Sequence, residues 1–215
     1  MFDILKAIFF GIIQGITEFL PISSTGHLIL FEKLVPLSPS EGFFDMFSVV
    51  IQFGSIMAVL VLFWHTLNPF SAKKSAAEKK ATVDLWGKIM VAVIPAALAG
   101  LLLDDIIDAH LRGWVTVAVT LIVYGALFII VENRNKAKAP GGTEDAITYR
   151  TALYIGAFQM LALVPGTSRS GATILGAMLL GLSRTTAAHF SFFMAIPTML
   201  GASGLKMVKF AAANQ

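Results

Sequence analysis

The sequence predicts an all-α integral membrane protein. The fold is an inverted-topology repeat, with two re-entrant helix–loop–helix hairpins and about four full transmembrane helices. Three observations predict it. Hydrophobic residues make up 56% of the chain and charged residues 13%, against about 25% charged in soluble domains. The mean hydropathy is +0.78, too apolar to cover a water-facing surface. Two broken apolar segments, one in each half, resemble each other.

Taken in order, the N-terminal residues to Ile13 are short and apolar, with Asp3 and Lys6. They lack the small-residue cleavage site of a signal peptide and lead into Gln14 and Glu18, so they are expected to stay in the mature fold. A spanning helix needs about 20 mostly apolar residues. Four stretches qualify: Phe43–Trp64, Leu85–Leu103, Trp114–Val131 and Ala187–Val208. Trp64, Trp86 and Trp114 mark their ends, where interfacial aromatics belong. Pro95 and Pro197 fall inside spans, which membrane helices tolerate when neighbours satisfy the freed backbone groups. Residues 11–34 and 156–183 are interrupted by Gly, Pro, Ser, Thr and charge. Such backbone persists at membrane depth only when buried in protein or lining a wet cavity, so both are expected to be re-entrant hairpins.

The loop cations choose an orientation. His65 to Lys88 carries Lys73, Lys74, Lys79, Lys80 and Lys88, and Glu132 to Arg150 carries Arg134, Lys136, Lys138 and Arg150. The loop between the second and third spans has Asp104, Asp105 and Asp108, with Arg112 as its cation. The two basic loops are therefore expected on the cytoplasmic side, although Lys206 and Lys209 then fall outside. A net charge of +3, confined to loops, implies no nucleic-acid partner. The absence of cysteine excludes disulfides and thiolate metal sites.

The first broken segment reads GIIQGITEFLPISSTGHLIL from Gly11 and the second GAFQMLALVPGTSRSGATIL from Gly156. Gly11, Gln14, Ser23, Gly26 and Leu30 match Gly156, Gln159, Ser168, Gly171 and Leu175 at one offset of 145. Pro21 matches Pro165 after a one-residue slip, and Phe47-Ser48 is echoed by Phe190-Ser191. Three spans between the segments invert the second copy, which places a site at the repeat interface near the midplane. The expected units are a first repeat over residues 1–131, a cytoplasmic linker over 132–150 and a second repeat over 151–215. The second repeat stops two helices short of the first.

Chemistry concentrates in the two bends. Gln14 and Glu18 are four apart and share a helix face. A carboxylate at membrane depth costs about 2.5–3.5 kcal/mol on insertion scales and is a functional candidate by default. Ser23, Ser24, Thr25 and His27 follow, three hydroxyls and an imidazole able to carry a proton or attack as a nucleophile. Of the other histidines, His65 and His110 read as interfacial or loop residues, and His189 is left unassigned.

The second bend, residues 165–173, contains Gly166, Thr167, Ser168, Arg169, Ser170, Gly171 and Thr173. Its glycines let backbone approach a ligand, its hydroxyls donate, and the helix after it points its positive end at the loop. Arg169 adds a planar fork suited to phosphate oxygens, although pairing with Glu18 is its structural alternative. The spacing mimics a P-loop with Ala172 where Lys belongs, and no strand precedes it, which excludes an NTPase. Together the bends hold what phosphoryl transfer in a lipid phosphate or diphosphate requires. Arg169 is expected across the repeat interface from Glu18 and His27, roughly within 10 Å of both.

From the N-terminus to about residue 208, the sequence resembles the bacterial undecaprenyl-diphosphate phosphatases of the bacitracin-resistance type. Gln14-Gly-Ile-Thr-Glu18, the run through His27, and Pro165 to Thr173 carry the resemblance. It implies hydrolysis of undecaprenyl diphosphate to the monophosphate, recycling the carrier for peptidoglycan and other envelope polymers and conferring bacitracin tolerance. It also implies a divalent cation (Mg or Ca), a multi-pass protein of the bacterial plasma membrane and a site facing outward. Glu18 and Gln14 would serve metal or acid–base work, and Ser24 or His27 would be nucleophile or proton carrier. Arg169 would bind diphosphate with Ser168, Ser170 and Thr173; Ser23, Thr25, Gly166 and Gly171 complete the expected substrate cradle. The family continues for about two more helices.

The partners expected are the polyprenyl diphosphate and membrane lipid, with a homodimer as a further arrangement that would fill the groove beside the last span. Two readings compete: a transporter or flippase of a polyprenyl-phosphate lipid, which needs an anion site and two access states, and a non-catalytic lipid-binding subunit.

Overall fold

The computed structural model describes residues 2–37, 42–111, 113–136 and 147–213. These residues are all-helical, without strands. The helices are α1 (Phe2–Thr17), α2 (Ser24–Leu34), α3 (Phe43–Leu62), α4 (Trp64–Leu67), α5 (Ala76–Leu111), α6 (Trp114–Lys136), α7 (Tyr149–Gln159), α8 (Arg169–Leu179) and α9 (Arg184–Ala213). A 3₁₀ turn, Met160–Leu163, follows α7. Four stretches are long and apolar enough to cross a membrane: Phe43–Leu62, Ala76–Leu103, Val115–Arg134 and Arg184–Ala212. The third has a mean hydropathy of 2.3 and only 11% of it is buried inside the protein. Its apolar surface needs lipid around it, and the chain is a multi-pass membrane protein.

Three of the expected spans fall within these helices, with corrections at their ends; the first, expected to reach Trp64, ends at Leu62, and Trp64 opens the separate helix α4. The stretch expected from Leu85 begins at Ala76, because Ser75 and Glu78 form a capping box. Ser75 N–H donates to Glu78 Oε2 at 2.7 Å and Glu78 N–H to Ser75 Oγ at 3.3 Å. Much of the expected loop from His65 to Lys88 is thus helical, and Trp86 lies well inside α5 rather than at its end. Its indole N–H donates to the Leu67 carbonyl at 2.8 Å. The expected loop with Asp104, Asp105 and Asp108 is also helical in its backbone, since α5 runs to Leu111. Arg112 and Lys138 lie outside the described residues.

The broken segments form helical hairpins that extend beyond the expected bounds. The first is α1–α2, starting at Phe2 instead of residue 11; the second is α7–α8, starting at Tyr149 and ending its helix at Leu179. Gly181, at φ 96°, closes α8 with a Schellman motif: its N–H bonds Met178 O and the Leu182 N–H bonds Ala177 O, both at 3.1 Å.

Helix α8 is central. Residues 170–178 are all buried, packed among α6, α7 and α9. Helix α7 lies tightly on α5, because Gly156 has no side chain: a Cβ there would sit 2.1 Å from the Ala92 carbonyl oxygen. Gly156→Ala is therefore expected to force the two backbones apart, at about 1–3 kcal/mol for overpacking. A lowered unfolding midpoint in detergent checks this; an unchanged midpoint would show that α5 and α7 part freely. On the other side, α3 runs along α9, where Ser203 Oγ donates to Val49 O at 3.1 Å.

Candidate functional site

The two bends meet through Glu18 and Arg169, which are 151 residues apart in sequence. Glu18 lies one residue beyond α1, and its N–H still bonds Gln14 O at 2.9 Å, so the helical register carries it over Gln14. Its carboxylate accepts from three side chains. Gln14 Nε2 and Ser24 Oγ each donate to Oε2 at 2.7 Å, and Arg169 Nη2 donates to Oε1 at 3.1 Å. Glu18 is 5% exposed and the Arg169 side chain 10%. Removing one member of a buried ion pair costs about 3–5 kcal/mol, because the other is left unpaired. Arg169 thus contacts Glu18 directly, the pairing given above as its structural alternative.

The two helices entering the site begin alike. Ser23 caps α2, its Oγ accepting the Gly26 N–H at 3.2 Å; Ser168 caps α8, its Oγ accepting the Gly171 N–H at 3.0 Å. These are residues matched in the sequence comparison. Ser23 has φ 63°, the positive region that a side chain enters at about 1–3 kcal/mol, a strain that collects at functional sites. This turn delivers Ser24 to Glu18. It also holds His27, whose Nδ1 lies 2.8 Å from the Ser23 carbonyl oxygen. A carbonyl only accepts, so Nδ1 is the donor in this contact. Thr25 Oγ1 accepts from Gln52 Nε2 of α3 at 3.3 Å.

In the second bend, Ser168 and Ser170 hydroxyls lie 3.2 Å apart, and Ser170 Oγ donates to the Glu18 carbonyl at 3.4 Å. Arg169 opens α8 and also donates through Nη1 to Ser191 O at 3.3 Å. Thr173 differs from expectation: it is fully buried, with its Oγ1 3.0 Å from Arg169 O and 2.6 Å from Ser191 Oγ. Its hydroxyl ties α8 to α9. The glycines differ too. A Cβ on Gly166, at φ 88°, would lie 2.2 Å from Thr120 Oγ1, and one on Gly171 would lie 2.9 Å from the Ser168 Cβ. Neighbouring protein fills both places, so these glycines seat the bend against α6 and its own cap.

Two groups of the site retain hydrogen-bonding capacity. Gln14 Oε1 and Arg169 Nε are buried and have no partner among the described residues. Flipping the Gln14 amide would set oxygen against the Glu18 carboxylate, so its orientation is dictated by the donor requirement. No cluster of three or more His, Asp or Glu suited to a metal occurs among the described residues. The oxygens that could contribute to a hard cation here are those of Glu18 and Gln14.

Sequence reasoning did not assign Ser191 or Gln52. Ser191 had a signal, the Phe190-Ser191 echo of Phe47-Ser48; Gln52 had none. The remaining histidines stand apart from this network: His65 is exposed in α4, His110 Nδ1 lies 3.0 Å from Ile106 O, and exposed His189 stands against the rings of Phe63 and Phe193.

An undecaprenyl-diphosphatase of Lactiplantibacillus plantarum is 58% identical, over 99% of this chain and 78% of the relative. One of Enterococcus faecalis is 60% identical, over 96% of this chain and 75% of the relative. One of Acetivibrio thermocellus is 58% identical, over 98% of this chain and 78% of the relative. The family model described as bacitracin resistance protein BacA matches residues 7–215, and the chain belongs to that family.

Proposed function

We propose that this chain hydrolyses undecaprenyl diphosphate to undecaprenyl phosphate and inorganic phosphate, recycling the lipid carrier for cell-wall synthesis and conferring bacitracin resistance. One observation carries the reading: a buried carboxylate, Glu18, accepts at once from a hydroxyl, Ser24, and a guanidinium, Arg169, brought from the other half of the chain. The names of the relatives match that chemistry.

The hairpins are re-entrant in this reading. Helices α2 and α8 have 11 residues each, a length of about 16 Å, roughly half of a ~30 Å hydrocarbon core. The matched caps at Ser23 and Ser168, and the buried Gln14 and Gln159, support an inverted repeat divided as residues 1–131, 132–150 and 151–215. Both glutamines have an unpartnered Oε1 among the described residues. Two helix N-termini then face one bend region, where they favour an anion. The site opens to the outer face of the membrane, opposite the lysine-rich loop.

Arg169 exchanges part of its contact with Glu18 for the diphosphate, and its Nε supplies a further donor. Ser24 Oγ attacks the terminal phosphorus while its proton passes to Glu18, and the bridging P–O bond breaks to release undecaprenyl phosphate. Water then opens the phosphoserine and frees inorganic phosphate. His27 carries protons through Nε2. A divalent cation, Mg or Ca, would be held by Glu18 and by Gln14 Oε1 once the amide turns its oxygen in place of the N–H that now bonds Glu18, since hard cations take oxygen ligands. It would polarise the phosphoryl oxygens.

The test is phosphate release from undecaprenyl diphosphate in detergent, where transport across a membrane has no meaning. Release at a rate proportional to protein is expected; binding without release would favour a flippase. Chelation with EDTA should abolish release, and added Mg or Ca should restore it. Full activity after exhaustive chelation would remove the cation from Glu18 and Gln14.

A further inference from the structure

Away from the bends, the elbow between α3 and α5 combines features that neither the fold nor the hydrolysis explains. Chain continuity would allow a plain polar turn after Leu62. Instead the elbow carries Trp64, 61% exposed, and Phe70, 88% exposed. They border an apolar groove of about 310 Å³, floored by Leu60 and Trp86. The bond from the Trp86 indole to Leu67 O holds the groove in shape.

Beside it, across α4, lies an open cavity of about 340 Å³ lined by His65, Lys74, Glu78 and Thr82 together with Ala81 and Leu85. Lys74 Nζ is fixed there, donating to Thr66 O at 3.0 Å and Thr82 Oγ1 at 2.6 Å. An ammonium has three protons, so one is left to meet a ligand. The Glu78 carboxylate is engaged by the Ser75 N–H and hydroxyl. Residues 63–88 carry five lysines against two carboxylates.

We propose that this elbow binds one anionic phospholipid of the surrounding membrane, its phosphate against Lys74 and His65 and an acyl chain in the groove of Trp64, Phe70 and Trp86. Charge selects the occupant. Cationic side chains at a membrane helix end attract anionic head groups, at about 1 kcal/mol each near the surface, and Lys74 is the one held at this cavity. The adjoining aromatic groove adds what a free phosphate could not use. Exposed Trp and Phe beside fixed cations suit the boundary between hydrocarbon and head groups.

The test places the chain, with Trp114→Phe to silence the third indole, in nanodiscs containing brominated phosphatidylglycerol or brominated phosphatidylcholine. Quenching of Trp64 and Trp86 is read by fluorescence. The phosphatidylglycerol should quench at about fivefold lower mole fraction, the factor equivalent to ~1 kcal/mol. His65→Gln with Lys74→Gln should erase the preference, and Lys74→Arg should keep it. Lys80→Gln removes the same single charge outside the cavity and should also keep it. Equal quenching by both lipids would overturn the proposal, as would equal loss in Lys80→Gln, which would signify a diffuse field. Displacement of the lipid by soluble glycerol phosphate would show that the groove contributes nothing, and would overturn it as well.

Discussion

Replacing Glu18 with glutamine is expected to lower the rate of phosphate release about a thousandfold, within the range for loss of a general acid–base group. The geometry gives the reason. Glu18 accepts from Gln14, Ser24 and Arg169, all of them donors in this arrangement. An amide has one acceptor oxygen and would turn its NH₂ toward at least one of these donors. Ser24 would lose the carboxylate that takes its proton. Glu18→Ala should abolish activity as well and also lower the unfolding midpoint, because Arg169 is left buried and unpaired at about 3–5 kcal/mol. Combining Glu18→Ala with Arg169→Met should recover much of the stability and none of the activity, which separates chemistry from folding. Gln14→Ala should be milder, since its amide carries no charge. Steady-state phosphate release and thermal unfolding in one detergent measure both quantities. A wild-type rate in Glu18→Gln would remove Glu18 from the mechanism.

Arg169→Lys is expected to lower kcat/KM about a hundredfold, equivalent to ~2.7 kcal/mol. The guanidinium reaches two elements at once, Nη2 to Glu18 and Nη1 to Ser191 O, and keeps Nε in reserve. An ammonium is a single point with no planar fork, and cannot reproduce both contacts and a bidentate grip on phosphate. Arg169→Ala should cost more and weaken substrate binding too. The measurement is phosphate release over a range of substrate concentrations, with detergent and metal constant. Full activity of Arg169→Lys would reduce the residue to a charge, and activity of Arg169→Ala would move the phosphate contact elsewhere.

Several features were legible because they are local. The match of Ser23 with Ser168 follows from one offset along the chain, and the structure makes both of them helix caps. Gln14 and Glu18 meet because four residues make about one helical turn. The errors were also local in origin. The start of α5 was misplaced because hydropathy counts the lysines and ignores the Ser75–Glu78 capping box. Gly166 and Gly171 are expected from the sequence to let backbone approach a ligand, but whether absent side chains leave space depends on what else packs there. Thr120, Val117 and Phe128 of α6 do so.

The sequence by itself determined the membrane class, since apolar content and hydropathy are sums that no folding can alter. It also determined the two polar bends and the residues within them, because a buried charge is too costly to be placed without a partner. Only the tertiary structure decided which partners these are. Glu18 and Arg169 are 151 residues apart, and no periodicity links them. Helix α8, buried along residues 170–178, sets the guanidinium against the first bend, and Thr173 and Ser191 tie that helix to α9. Direction and distance between such groups follow from packing of whole helices, a property of three-dimensional shape that spacing along the chain does not encode.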